Sequence, residues 1–361
     1  MPRRRRIRAL AAAGFLGALA TLVGGCARPG FPPGGPVDMI PPAILQTSPA
    51  DSSVRVAPDE GVTILFSEPM NRATVQDGLK MYPPPSNLAF HWAGRRLRVT
   101  WEGTLAPHTT YQLVLSANAR DEHEVGMGSA VHVRFSTGDS LDPGVVRGVL
   151  RAKTLATKGV PMALYPETLG SRPDFAAIPP AYGTETDTAG AYEFRAVHLG
   201  GYTLHALYDR NRDGYIDPTT DLVLSFPEPI RLTPERSVAD SINLIAVDPQ
   251  APAILSGRIV AADSLGHYRV EARADTDSVY VVARADRVGP GEYVLRVPPG
   301  RYRLDALRLA GPGDVPPRLV VPLAGVIEAK PEAEYPGRDF EFPVEPGGPA
   351  GEPAVPPEAK E

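Results

Sequence analysis

The chain has 361 residues, room for two to four domains at roughly 100–150 residues each. Its 35 glycines and 41 prolines stand well above the average combined share of about 12 %, which excludes a chain of long helices, while 43 % hydrophobic residues exclude global disorder. A net charge of −5 argues against a nucleic-acid binder that relies on a positive field, and a single cysteine excludes an internal disulfide or a cysteine-based zinc cluster.

The N-terminus carries five arginines (Arg3 to Arg6, and Arg8), followed by an uncharged run from Ala9 to Val23. That run is short for a transmembrane helix, which needs about 20 residues, and has the length of the apolar region of a secretory signal. It ends in Val23-Gly24-Gly25-Cys26. The block resembles the lipobox of bacterial lipoproteins. The resemblance implies that residues 1–25 form a cleaved signal helix and that the Cys26 thiol is diacylated. Two or three acyl chains anchor a protein stably where one is marginal. The residues alone also fit an ordinary signal peptide with an incidental cysteine. The arginine run lacks the rest of a twin-arginine motif, so general secretion is the expected route. Residues 1–25 hold five arginines and no acid, so their removal takes the net charge from −5 to −10. The acyl chains, and not adhesion to anionic lipid, would then hold the protein. Ala27 follows the cysteine, which by the same resemblance favours the outer membrane if the source is diderm.

Residues 26–42 (CARPGFPPGGPVDMIPP) form a lipidated cysteine and a Pro/Gly spacer. The tail 344–361 has almost no core residues and is expected to be disordered. Between them, short apolar runs alternate with period two, as in Val62 to Phe66, Arg96 to Trp101, Tyr111 to Leu115 and Val131 to Phe135. Gly, Pro and Asp bound these runs, which predicts strands with one buried face. The fold class is therefore all-β, with β-sandwiches in series. Only Ala73 to Leu79 is expected to make a helical turn.

Residues 43–138 resemble the bacterial Ig-like domain of the SbsA type. The residues that carry this are Ser48-Pro49-Ala50-Asp51, Phe66-Ser67-Glu68-Pro69-Met70, Leu105-Ala106-Pro107 before Tyr111, and Phe135-Ser136-Thr137-Gly138. Phe66 and Phe135 are expected in the core, and the resemblance implies an accessory, structural domain. Residues 145–247 resemble the carboxypeptidase-regulatory-like, or prealbumin-like, sandwich through Thr186-Asp187-Thr188-Ala189-Gly190-Ala191-Tyr192-Glu193-Phe194. That module carries no catalytic residues. Residues 253–343 read as a second sandwich of similar type, because Gly190-Ala191-Tyr192 is answered by Gly291-Glu292-Tyr293 and Tyr202 to Leu207 by Tyr302 to Leu307.

Asp209-Arg210-Asn211-Arg212-Asp213-Gly214-Tyr215-Ile216-Asp217 has the spacing of the first part of a calcium loop. Asp209, Asn211, Asp213 and Asp217 would supply side-chain oxygens, Tyr215 a carbonyl and Gly214 the sharp turn. Asp221 would stand in for the missing bidentate glutamate. Two readings stay open: a structural calcium site between strands, or a hairpin tip whose Asp and Asn cap their own backbone. Asp121-Glu122-His123-Glu124 is expected to be a solvated turn. His132, His198 and His205 are expected on exposed or interfacial faces, and Trp92, Trp101, Tyr82 and Tyr111 in cores rather than on a sugar-binding platform.

No nucleophile–base, phosphate-loop or dinucleotide motif is present in the sequence. The expected function is a non-enzymatic, lipid-anchored scaffold of the cell envelope. Its partners would be the membrane, through lipid, and an envelope protein or glycan. It would need no cofactor beyond the calcium ion considered above, and would bind no nucleic acid. The alternative is an extracytoplasmic hydrolase or carbohydrate-active enzyme with a carboxylate pair that leaves little trace in sequence.

Overall fold

The computed structural model describes residues 37–313 and 316–344. Residues 1–25, the Cys26 lipidation site, the spacer up to residue 36 and the tail from residue 345 lie outside the described residues. The body of the fold starts at Pro41. It is all-β, with three sandwiches in series. Among the described residues no helix is long and apolar enough to cross a membrane.

The first sandwich holds β1 (Ile44–Ser48), β2 (Val62–Phe66), β3 (Leu79–Tyr82), β4 (Leu88–Ala93), β5 (Arg96–Trp101), β6 (Thr110–Leu115) and β7 (Val131–Ser136). A sheet in the order β1-β2-β5-β4 faces one in the order β3-β6-β7. Alternation does what the pattern requires: Val62, Ile64 and Phe66 of β2 and Leu97 and Val99 of β5 are fully buried, as is Phe135. The helical turn α1 spans Arg72–Gly78, where the Asn71 side chain caps Thr74 N and Val75 enters the core. Strand β6 breaks the alternation, since all six of its residues are buried. Tyr111, Leu113 and Leu115 fill the first core, while Gln112 lies on the other face, toward the second sandwich.

The second sandwich contains β8 (Gly144–Ala152), β9 (Pro161–Pro166), β10 (Tyr182–Glu185), β11 (Ala191–Val197), β12 (Gly200–Tyr208), β13 (Leu222–Ser225), β14 (Ile230–Leu232), β15 (Val238–Ala239) and β16 (Leu244–Ala246). The third contains β17 (Ala253–Val260), β18 (His267–Ala274), β19 (Asp277–Val288), β20 (Gly291–Val297), β21 (Gly300–Leu309), β22 (Pro317–Pro322), β23 (Ile327–Ala329), β24 (Glu334–Tyr335) and β25 (Phe340–Glu341). Their pairings repeat strand for strand. In the second, β8 pairs antiparallel with β11 and parallel with β15 and β16, and β12 pairs with β9, β13 and β14. In the third, β17 pairs antiparallel with β20 and parallel with β24 and β25, and β21 pairs with β18, β22 and β23.

The repeat reaches single atoms. Tyr192 lies opposite Gly148 and donates its hydroxyl to Ile242 O; Tyr293 lies opposite Gly257 and donates to Arg338 O. Each glycine is where the returning chain crosses: a Cβ would come within 1.9 Å of Ile242 O at Gly148 and 2.3 Å of Arg338 O at Gly257. Tyr202 and Tyr302 each donate to a carbonyl four residues back, at His198 (2.9 Å) and Pro298 (2.8 Å).

Trp92, Trp101, Tyr82 and Tyr111 are structural. Trp92 stacks on Phe66 at 6.0 Å, Tyr111 on Phe135 at 5.9 Å, and Trp101 Nε1 donates to Pro58 O at 3.1 Å. Tyr82 packs against the second core rather than the first.

Candidate functional site

The first and second sandwiches meet through side chains at the sheet ends. Glu185 Oε2 of β10 accepts Ala117 N at 3.0 Å. Gln112 Nε2 of β6 donates to His132 Nδ1 of β7 at 2.6 Å, which leaves the proton on His132 Nε2 to face Thr184 Oγ1 at 3.4 Å. Burial, followed by the charge of Arg134, pushes the His132 imidazole down to about 4, so it is neutral at physiological pH. His198 Nδ1 lies 2.9 Å from Asp142 in the connection between the sandwiches.

Beside this junction opens a cleft of about 750 Å³, within the range of about 300–1,000 Å³ usual for ligand sites. Arg134 of β7, Arg147 and Arg151 of β8 and Arg195 of β11 line it, with Glu193 and Asp240 among the acids. Three of the arginines are committed. Arg134 holds Asp51 through two bonds, at 3.0 and 2.8 Å. Burial raises the Asp51 carboxyl, but the bonds from Arg134 outweigh it and leave it below the usual carboxylate range. Arg147 Nη2 meets Asp240 at 2.8 Å, and Arg195 Nε meets Glu193 at 2.7 Å. Among the described residues the Arg151 side chain has no hydrogen-bond or ion-pair partner. The cleft is thus polar and charge-balanced, with one guanidinium left to meet a carboxylate, sulfate or phosphate group.

These arginines were not among the residues singled out from the sequence. Their signal was there as charges at alternate positions: His132 and Arg134 on β7, Glu193 and Arg195 on β11, Arg147 and Arg151 four apart on β8. What sequence could not give is the convergence of two sandwiches.

The acidic loop 209–221 is organised by its carboxylates. Asp209 accepts Arg212 N (2.6 Å) and Gly214 N (2.9 Å), Asn211 and Asp213 bond each other, and Asp213 accepts Tyr215 N. Asp221 ties the two ends, accepting Arg210 N and Asp217 N, both at 2.9 Å. A carboxylate oxygen has two lone pairs, so one accepted N–H leaves room for a cation. The Tyr215 side chain is exposed. Arg210 forms an ion pair with Asp248, 2.7 Å away at the start of the third sandwich.

Two expectations about buried groups are corrected. His205 is not on an exposed or interfacial face. It is fully buried between Tyr165 and Phe175, bonded to Ser225 Oγ (2.8 Å) and Thr203 Oγ1 (3.0 Å), because the segment carrying Phe175 and Ile178 folds over the outer face of β9 and β12. Burial pushes its imidazole down to about 4. The 121–124 segment is not wholly a solvated turn, since Asp121 is fully buried and holds the turn from within: its Oδ1 accepts His123 N at 2.7 Å and Val125 N at 2.9 Å.

Residues 38–137 match the bacterial Ig-like domain family. No curated protein sequence matches the chain. Among solved structures it is similar to the Bacillus anthracis TIE protein (10 % identity, 86 % of this chain, 58 % of that chain, TM-score 0.23). An L,D-transpeptidase from Mycobacterium smegmatis (17 %, 57 % and 90 %, TM-score 0.21) and the N-terminal part of the bacterial S-layer protein SbsC (10 %, 52 % and 44 %, TM-score 0.22) are also similar. The chain spans little more than half the length of the TIE protein.

Proposed function

We propose, for a chain that carries a bacterial Ig-like domain at 38–137 followed by further β-sandwich domains, that it is a non-enzymatic, lipid-anchored scaffold of the bacterial envelope. On this reading Cys26 carries the acyl chains, and the second and third sandwiches are prealbumin-like accessory modules. The cleft between the first two sandwiches takes a polar segment of an envelope protein or glycan. The observation that carries the reading is the cleft itself: about 750 Å³ between two interlocked sandwiches, with three guanidiniums held by carboxylates and that of Arg151 uncommitted. A site on rigid strands orders few groups on binding, which favours affinity for a polar partner.

A photo-crosslinking residue in place of Val149, which lines the cleft and leaves Arg151 intact, in full-length protein expressed in a bacterial host, tests the cleft. The expected result is a discrete adduct that is lost in Arg151→Glu. The same probe at exposed Val320 of β22 is the control, and equal adducts from both positions would sink the binding role. Labelling with radioactive palmitate tests the anchor: incorporation is expected in wild type and not in Cys26→Ser.

A further inference from the structure

The corner after β2 and the hairpin before β7 bring together three groups that the scaffold reading does not use. Glu68, Asp121 and His123 each offer one ligand atom, and these atoms lie within 4.8 Å of one another. The backbone fixes this arrangement. Met70 bridges Asp121, Asn71 N donates to Arg120 O at 2.9 Å, and Glu122 N donates to Pro69 O at 3.2 Å. The hairpin is closed by Asp121 N on Val125 O at 3.0 Å. Glu124, at the turn with φ +66°, points its carboxylate to Arg120 and Asn71 and so stands apart from the cluster.

A second observation points to a ligand. Asp121 is fully buried, and while Oδ1 takes two amides, Oδ2 is buried with no hydrogen-bond partner. A buried anionic oxygen without a donor, beside a second carboxylate, is costly unless something positive sits against it. We propose that Glu68, Asp121 and His123 form a binding site for a divalent transition-metal ion of the zinc class. The donor set decides the class: an imidazole with two carboxylates suits zinc, whereas calcium and magnesium prefer oxygen ligands throughout. Access decides the rest. Asp121 lies at the base, Glu68 is half-buried and His123 is exposed, so an ion enters from solvent and completes its shell with water. Bound there, it clamps the Ser67-Glu68-Pro69-Met70 corner to the 120–125 hairpin.

The test is calorimetric titration of the full-length, EDTA-stripped protein with zinc chloride, alongside melting curves in zinc, calcium and magnesium. Three variants accompany it. Asp121→Asn keeps an acceptor for both amides, Glu68→Gln keeps the volume, and His123→Ala changes an exposed side chain. The expected result is one saturable zinc site that raises the melting temperature and weakens at least tenfold in each variant. Should Asp121→Asn fail to fold, His123→Ala carries the test. Absence of saturable zinc binding overturns the proposal, as does zinc binding of equal affinity in wild type and His123→Ala, or calcium binding that His123→Ala leaves unchanged.

Discussion

Tyr82, the last residue of β3 in the first sandwich, lies directly over Gly183 of β10 in the second, where a Cβ would stand 2.4 Å from its ring. Only glycine lets the ring reach the second core, and burial raises its phenol above the usual range. Gly183→Ala must displace a packed ring and is expected to cost about 1–3 kcal/mol, the range of overpacking. In urea unfolding, Tyr82→Ala should relieve the clash, so the double variant should cost clearly less than the sum of the singles. Additive costs would show that the two residues do not meet.

Stability should fall on mild acidification. His132 and His205 titrate near 4 in the folded protein against about 6.5 when unfolded. Above 6.5 both states are neutral. Between 6.5 and 4 the unfolded chain binds protons that the folded chain refuses, so stability drops by up to about 1.4 kcal/mol per pH unit per histidine. Below 4 these groups add no further slope. Unfolding of wild type and His205→Gln from pH 7 to 4.5 should show a shallower slope in the variant; parallel lines would place His205 in contact with water.

The repeated tyrosine bonds should be energetically equivalent. Tyr192→Phe and Tyr293→Phe each leave a crossing carbonyl, at Ile242 or Arg338, without its hydroxyl donor. Each is expected to cost about 1–2 kcal/mol. A cost in one sandwich and none in the other, read from unfolding curves, would break the equivalence.

Asp209→Ala removes the acceptor of two loop amides and should destabilise the protein by about 1 kcal/mol through the lost caps. Melting in EDTA and in millimolar calcium separates the two readings of the loop. The same loss in both is capping alone, and a larger loss in calcium is a bound ion.

Much of the architecture was legible because period-two alternation is local. Val62, Ile64 and Phe66 declared their buried face without reference to any partner strand. The Tyr192 and Tyr293 match declared a repeat because both residues do the same job opposite a glycine. His205 and Asp121 were misread for one reason: their burial comes from segments distant in sequence. Phe175 covers His205 across 30 positions, and the Met70 corner covers Asp121 across 51. A polar residue in a strand or turn carries no local sign of what will fold over it.

The same division holds for function. Sequence by itself set the all-β class and marked out the acidic loop, since each depends on spacing along the chain. Tertiary structure alone decided the cleft and the Glu68–Asp121–His123 cluster. Both are made where separate segments converge: the cleft where Glu185 of β10 meets Ala117 beyond β6, and the cluster where the Met70 corner bridges Asp121; packing between distant segments, not any neighbouring residue, fixes that convergence.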